Sequence, residues 1–299
     1  MKKIVIIASV FLVSIHVSNS AAQELEARSV DNLPVGINLL TIGYGYSTGN
    51  ILLDPALPVE NLNARLHLLI ASYARTLDLF GKPARFDAIL PFTAGDWEYT
   101  FAGAPDSRTI DGLGDLRLRL TMLFSGARAM GIKDFTKPGD STIFGASLQV
   151  ILPTGQYDPT ELINLGSNRW TFRLQAGMKH GMGKWALEAI AGVWLFTDNT
   201  KFLEDNKLGQ RPLLVAKLHL VRNFSKGIWA ALDVGYGYGG RTLINGTERN
   251  IRISAFRFGL TGGIPLSPKH ILRISVATGV RLERGPDFDA VVLAYSYVW

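Results

Sequence analysis

Two arginines enclose a leucine in Leu116-Arg117-Leu118-Arg119-Leu120-Thr121-Met122. In an extended chain, residues two apart share a face, so both guanidinium groups point one way and the leucines the other. The same alternation sets Arg173 between Phe172 and Leu174, Lys217 between Ala216 and Leu218, Arg257 between Phe256 and Phe258, and Arg273 between Leu272 and Ile274. Arg65, Arg75, Arg85, Lys179 and Arg281 are assigned to the same wall, with Asp87, Asp115, Glu188 and Asp233 among them. A wall of fixed cations does electrostatic chemistry: it concentrates anions and admits them in preference to cations. The bland reading is that these arginines pair with the carboxylates and fill a narrow interior, and both readings stand. Arg117, Arg119, Arg173, Lys217, Arg257 and Arg273 are the candidate residues lining a solute path.

Covalent chemistry has far less to work with. The chain has no cysteine, hence no thiolate nucleophile or thiolate metal ligand. Beyond the first 22 residues the histidines are His67, His180, His219 and His270. A catalytic reading needs His67 or His219 within reach of a Ser or Asp and of a second orienting group. No Gly-x-Ser-x-Gly, His-Glu-x-x-His or phosphate-cradling Gly-rich Lys motif occurs, so no catalytic, cofactor or metal residue is assigned. The net charge of +6 carries no basic block, which argues against a nucleic-acid partner.

The elements that must position this wall are strands. The last nine residues, Val291-Val292-Leu293-Ala294-Tyr295-Ser296-Tyr297-Val298-Trp299, carry large apolar or aromatic side chains at every second position back from Trp299. In water that stripe would be an exposed apolar patch; at a membrane interface Tyr and Trp are at home. The other end has Lys2-Lys3, the apolar run 4–17 and small residues to Ala22, the pattern of an export leader over 1–22. The expected organisation is that leader, a periplasmic N-terminal segment over 23–35, and a single closed antiparallel transmembrane β-barrel over 36–299.

Period-two alternation predicts about 12 strands near 37–47, 63–77, 84–94, 114–125, 141–153, 168–179, 184–197, 212–223, 227–239, 250–263, 270–283 and 288–299. A charge facing lipid near the midplane costs about 2–4 kcal/mol, which favours the inward assignment of the charged positions. Gly43-Tyr44-Gly45-Tyr46 and Gly235-Tyr236-Gly237-Tyr238 fall at outer strand ends, and Trp185, Trp229 and Trp299 at periplasmic ends, as two aromatic girdles. Loops 48–62, 95–113, 154–167, 198–211, 240–249 and 284–287 then face outward. The connection 126–140 is long for a periplasmic turn. The segment 154–167 mixes turn residues with Leu162, Ile163 and Leu165, so it packs against something: the lumen, where it would constrict the path, or the rim. The terminal strand must pair with the first for the barrel to lack an open edge.

Several stretches carry a family resemblance: Leu33-Pro34-Val35-Gly36, Gly43-Tyr44-Gly45-Tyr46, Gly49-Asn50-Ile51-Leu52-Leu53-Asp54-Pro55, Pro153-Thr154-Gly155-Gln156-Tyr157, 162–170 and 192–199. Together they resemble the bacterial outer-membrane family labelled "putative MetA-pathway of phenol degradation", across nearly the whole chain after the leader. The resemblance implies an outer-membrane channel for passive uptake of small solutes, aromatic or anionic compounds among them, with no cofactor. Its partners would be the solute, outer-membrane lipid and, during biogenesis, the barrel-assembly machinery that reads a terminal aromatic. The alternatives are a lipid-modifying or proteolytic outer-membrane enzyme and a non-conducting structural barrel.

Overall fold

The computed structural model describes residues 25–51, 54, 56–135, 139–249, 252–281 and 287–299. The leader expected over 1–22 and the side chain of Arg281 lie outside the described residues. In chain order the strands are β1 (Asn38–Asn50), β2 (Glu60–Leu79), β3 (Lys82–Phe101), β4 (Ala104–Leu113), β5 (Arg117–Ser125), β6 (Thr142–Ile151), β7 (Thr171–Met182) and β8 (Trp185–Phe196). They continue as β9 (Asn199–Phe202), β10 (Asn206–Gln210), β11 (Leu213–Asn223), β12 (Trp229–Gly239), β13 (Thr242–Ile244), β14 (Thr247–Glu248), β15 (Ile253–Ser267), β16 (His270–Arg281) and β17 (Asp287–Val298).

Twelve antiparallel strand positions close into a ring, with β4 and β5 sharing one position beside β3. The seam is β1 against β17, in register from Leu39 opposite Val298 to Asn50 opposite Asp287. Asn38 and Trp299 exchange both backbone hydrogen bonds at its periplasmic end (2.9 and 3.1 Å), so the terminal residue itself is part of the closure. Along β17 every odd residue is exposed and every even one buried, as the terminal stripe requires. Outward leucines and isoleucines, Leu218, Leu232, Leu260, Ile274 and Leu293 among them, are about half exposed and make the lipid-facing belt.

Two departures from the sequence-based expectation concern the outer side. β2 and β3 run 20 residues each, against the roughly 9–11 that span a bilayer. The β2–β3–β4 sheet therefore projects outward, and 95–113, expected as a loop, is the hairpin of β3 and β4. Trp97 explains why it is stable: its indole Nε1 donates to Ile51 O (3.1 Å) and its ring lies over Gly95, where a Cβ would come within 2.8 Å of it. Further along, β9, β10, β13 and β14 form a separate four-stranded sheet from what were expected as plain outer loops.

Candidate functional site

The barrel interior is built in three layers. Toward the outside it is apolar: Leu66, Leu68 and Ile70 of β2 and Val292 and Ala294 of β17 point inward, and Ile51, Leu57, Leu162, Ile163, Leu165 and Leu208 from the outer segments pack on them. Segment 154–167 thus folds inward. Its two ends are pinned by one carboxylate: Asp115 accepts from Gly155 N (2.8 Å), Ser167 N (2.9 Å) and Ser167 Oγ (2.7 Å). Asp115 sits in the break between β4 and β5. Glycine is needed there, since a Cβ on Gly155 would lie 2.7–2.8 Å from the backbone of Gly114, Asp115 and Gly166. A second buried anchor is Arg169, whose Nη2 donates to Asp54 Oδ1 (2.8 Å) and Gln210 Oε1 (2.7 Å) while its guanidinium lies 4.6 Å over Phe196.

The exposed part of that segment is a turn in which Asp158 Oδ1 accepts from Thr160 N (2.9 Å) and Thr160 Oγ1 (2.7 Å). The Thr160 hydroxyl, then the Thr160 amide, hold the Asp158 carboxyl below its ordinary value of 3.8. A depressed folded value contributes stability above the ordinary carboxylate range and loses it as pH falls through the lower one. Exchange of the Thr160 amide, corrected for intrinsic rate, should therefore keep its protection through mildly acidic pH and lose it only below the ordinary range. Loss of protection already at pH above that range would contradict the assignment.

Below the apolar layer lies a charged band. Arg119 Nη1 and Arg173 Nη2 donate to Glu26 Oε1 (2.9 and 3.1 Å), and Lys217 Nζ stands 3.9 Å from Glu26 Oε2. Arg119 Nε and Arg85 Nε share Asp87 Oδ2 at 3.1 Å each. Arg173 also donates to Gln149 Oε1 (2.7 Å) and stacks 5.1 Å over Trp194. Arg28 N donates to Glu188 Oε2 (2.7 Å), the Arg28 side chain pairs with Asp31 (2.5 Å), and Asp31 also pairs with Lys179. Arg257 lies 4.3 Å over Phe288. Arg273 and Arg28 approach the Trp229 ring at 5.7 and 5.2 Å.

Glu26, Arg28 and Asp31 belong to the segment expected in the periplasm, and this is the main correction. Residues 25–35 lie inside the barrel. The physical cause is the inward excess of cations, which are costly to bury unpaired and which this segment neutralises. Its apolar residues have seats as well: Val30 packs with Leu123, Ala127, Ile143 and Ile190. A Cβ on Gly259 would stand 2.7 Å from Leu25 Cδ1, and one on Gly177 would stand 3.1 Å from Val30 Cγ2, so inward glycines make room for the segment.

A second apolar layer closes the periplasmic mouth, where Ala27 and Leu33 meet Phe135, Val221, Trp229, Ile271 and Val298. The long connection after β5 belongs to it: Val35 N donates to Met130 O (2.9 Å), and Val35 bridges Gly131. Trp229, expected in the girdle, is buried in the lumen, whereas Trp185 and Trp299 face outward as expected.

All six candidate path residues sit on inward-facing positions. Arg119, Arg173, Lys217, Arg257 and Arg273 are buried; Arg117, opposite Ile89 and Ile151 near the outer end, is partly exposed. The structure joins Arg119, Arg173 and Lys217 around Glu26 and leaves Arg257 and Arg273 on aromatic faces. Arg65 and Arg75, assigned inward, point outward, because β2 buries its even residues. The run Leu66-His67-Leu68-Leu69-Ile70 is apolar on both faces, and the two arginines lie toward the strand ends, where they reach water or headgroups.

Among the described residues neither His67 nor His219 has both a Ser or Asp and a second orienting group as hydrogen-bond partners. His67 faces outward, hydrogen-bonded to Tyr44 Oη (2.7 Å). His219 Nδ1 meets Asp233 Oδ1 (2.7 Å), and Asp233 Oδ2 accepts from Thr261 Oγ1 (2.7 Å), but His219 is wholly buried and its Nε2 has no partner among the described residues.

The model of the family described as "Putative MetA-pathway of phenol degradation" matches residues 46–293. Among solved structures, the COG4313 outer membrane channel from Pseudomonas putida F1 is similar over 91% of this chain and 98% of its own, with a TM-score of 0.75 at 22% identity. The beta domain of the Bordetella autotransporter BrkA matches with a TM-score of 0.53 at 13% identity, over 89% of this chain and all of its own. These likenesses show the fold, an outer-membrane β-barrel. No curated protein matches the chain's sequence.

Proposed function

The chain belongs to the outer-membrane family whose model it matches, and from that membership we propose that it is a channel for passive uptake of small aromatic compounds. The observation that carries this reading is the apolar outer layer. Barrels that pass hydrophilic solutes keep a polar, wet interior. Here Leu66, Leu68, Ile70 and Val292 turn inward instead, and the segments covering them are apolar too. A solute entering from outside must replace those contacts, and an aromatic ring does so at little cost while a sugar leaves polar groups unpaired.

The charged band beneath gives the path its second character. Its cations are largely compensated, by Asp87 from the wall and by Glu26 and Asp31 from the N-terminal segment, so a simple anion-selective pore is a poor description of the closed barrel. Passage requires the inward segments to move, and both are held by apolar packing and polar contacts rather than as strands of the ring. Nothing in this reading calls for a covalent step.

Proteoliposomes carrying the full chain test it. Catechol should enter faster than arabinose by about tenfold or more, each corrected for protein-free vesicles, since a missing polar match costs at least about 1.4 kcal/mol. Equal rates for the two would sink the proposal.

A further inference from the structure

Glu26 is a carboxylate gripped by three cations that belong to three different wall strands, Arg119 on β5, Arg173 on β7 and Lys217 on β11. The grip is built with care. Gln149 fixes one edge of the Arg173 guanidinium, Asp87 fixes Arg119 from the other side, and the Arg173 guanidinium stands 5.1 Å over the Trp194 ring. All these side chains are at least nine-tenths buried. Yet Glu26 is not part of the wall; it arrives on the segment that leads into β1.

We infer that the Arg119, Arg173 and Lys217 cluster is a carboxylate-binding site, that Glu26 occupies it as a tethered stand-in, and that the carboxylate of a small aromatic acid displaces Glu26 as it passes. The inference rests on the aromatic-uptake reading and narrows its solute class. Guanidinium groups recognise carboxylates in a planar, two-point geometry, and the cluster supplies two of them, on Arg119 and Arg173, with the Lys217 ammonium beside them. Buried cations cannot be left unpaired without a large penalty, so Glu26 leaves easily only when another anion takes its place. Exchange of one carboxylate for another is close to neutral in energy; release into an empty site is not. A neutral aromatic gives no such exchange. The device therefore couples arrival of an acid to release of the segment that fills the lumen.

The test is titration calorimetry on the full chain in detergent with benzoate and, as its neutral counterpart, benzyl alcohol. Glu26→Gln keeps the shape and removes the competing charge. Because a short tether holds its carboxylate at millimolar or higher effective concentration, the variant should bind benzoate at least about tenfold more tightly than the native chain. Benzyl alcohol affinity should stay within about twofold. Arg173→Gln added to Glu26→Gln should abolish the gain. Equal gains for benzoate and benzyl alcohol would show only that space had opened, and an unchanged benzoate affinity would show that Glu26 does not compete; either overturns the inference. If Glu26→Gln fails to give the heat-modifiable mobility of a folded barrel, Glu26→Asp is the substitute, since its shorter reach should yield an intermediate affinity, and no gain there also overturns it. Catechol entry into proteoliposomes does not involve this site's charge, so failure of the uptake reading is seen separately.

Discussion

Deleting residues 25–35 should raise single-channel conductance in planar bilayers by about tenfold or more and make the barrel anion-selective. The wall does not depend on that segment: each ring position is hydrogen-bonded on both sides, β5 carrying the second pairing at the position it shares with β4, and the seam closes through Asn38 and Trp299. What the deletion removes is filling and counter-charge. Ala27 and Leu33 leave the periplasmic apolar layer, and Val30 leaves the group around Ile143 and Ile190. The segment contributes two acids and one arginine, so the lumen becomes more positive by one charge, and Arg119, Arg173, Lys217 and Lys179 lose a carboxylate partner. Buried cations without partners draw in water and mobile anions, which is conduction. Unchanged conductance would mean that the outer apolar layer alone seals the barrel. A rise without anion preference would mean that the wall carboxylates suffice to neutralise the band.

Asp115→Ala should release the inward fold of 154–167 while leaving the barrel intact. One carboxylate accepts three hydrogen bonds there, and hydrogen bonds to a charged acceptor are worth about 1.5–3 kcal/mol each before compensation by water. A net loss of about 3–4 kcal/mol in local opening is a fall of two to three decades in amide-exchange protection over 155–167. Asp115→Asn keeps one acceptor and should fall between. Apolar packing of Leu162, Ile163 and Leu165 still favours the closed form, so the effect is on opening rather than on the mean position. Native-like protection over 155–167 in the alanine variant would show that packing, not Asp115, holds the segment.

The wall was legible because its signal is local. The odd-residue stripe ending at Trp299 predicts which face of β17 meets lipid and that β17 closes on β1, and Arg117-Leu118-Arg119 predicts which way β5 faces. β2 misleads where leucines fill both parities, since alternation then says nothing and the outlying Arg65 and Arg75 point to the wrong face. The extension of β3 into β4 was hidden because an outer strand beyond the membrane need not alternate. The contents of the lumen were the least legible. Nothing near Glu26 in sequence says that its partners lie roughly 90 to 190 residues away, on strands set by the whole ring. One hint was present: Gly177 and Gly259 fall at inward positions, and glycine in a strand interior often marks a close approach by another chain segment.

That hint bears on the order of events in assembly. Leu25, Glu26, Arg28 and Asp31 are seated on β5, β7, β8, β11, β12 and β15, all of which follow in the chain, while the end of the segment meets an early strand, where Pro34 O accepts from Thr76 Oγ1 of β2 (2.7 Å). A newly exported chain thus presents the charged part of the segment before the strands that receive it exist. It must wait outside while the later strands join, and its entry marks their completion. The earliest-made part of the described chain finds its place last, so a lumen that holds Glu26 is the signature of a finished barrel.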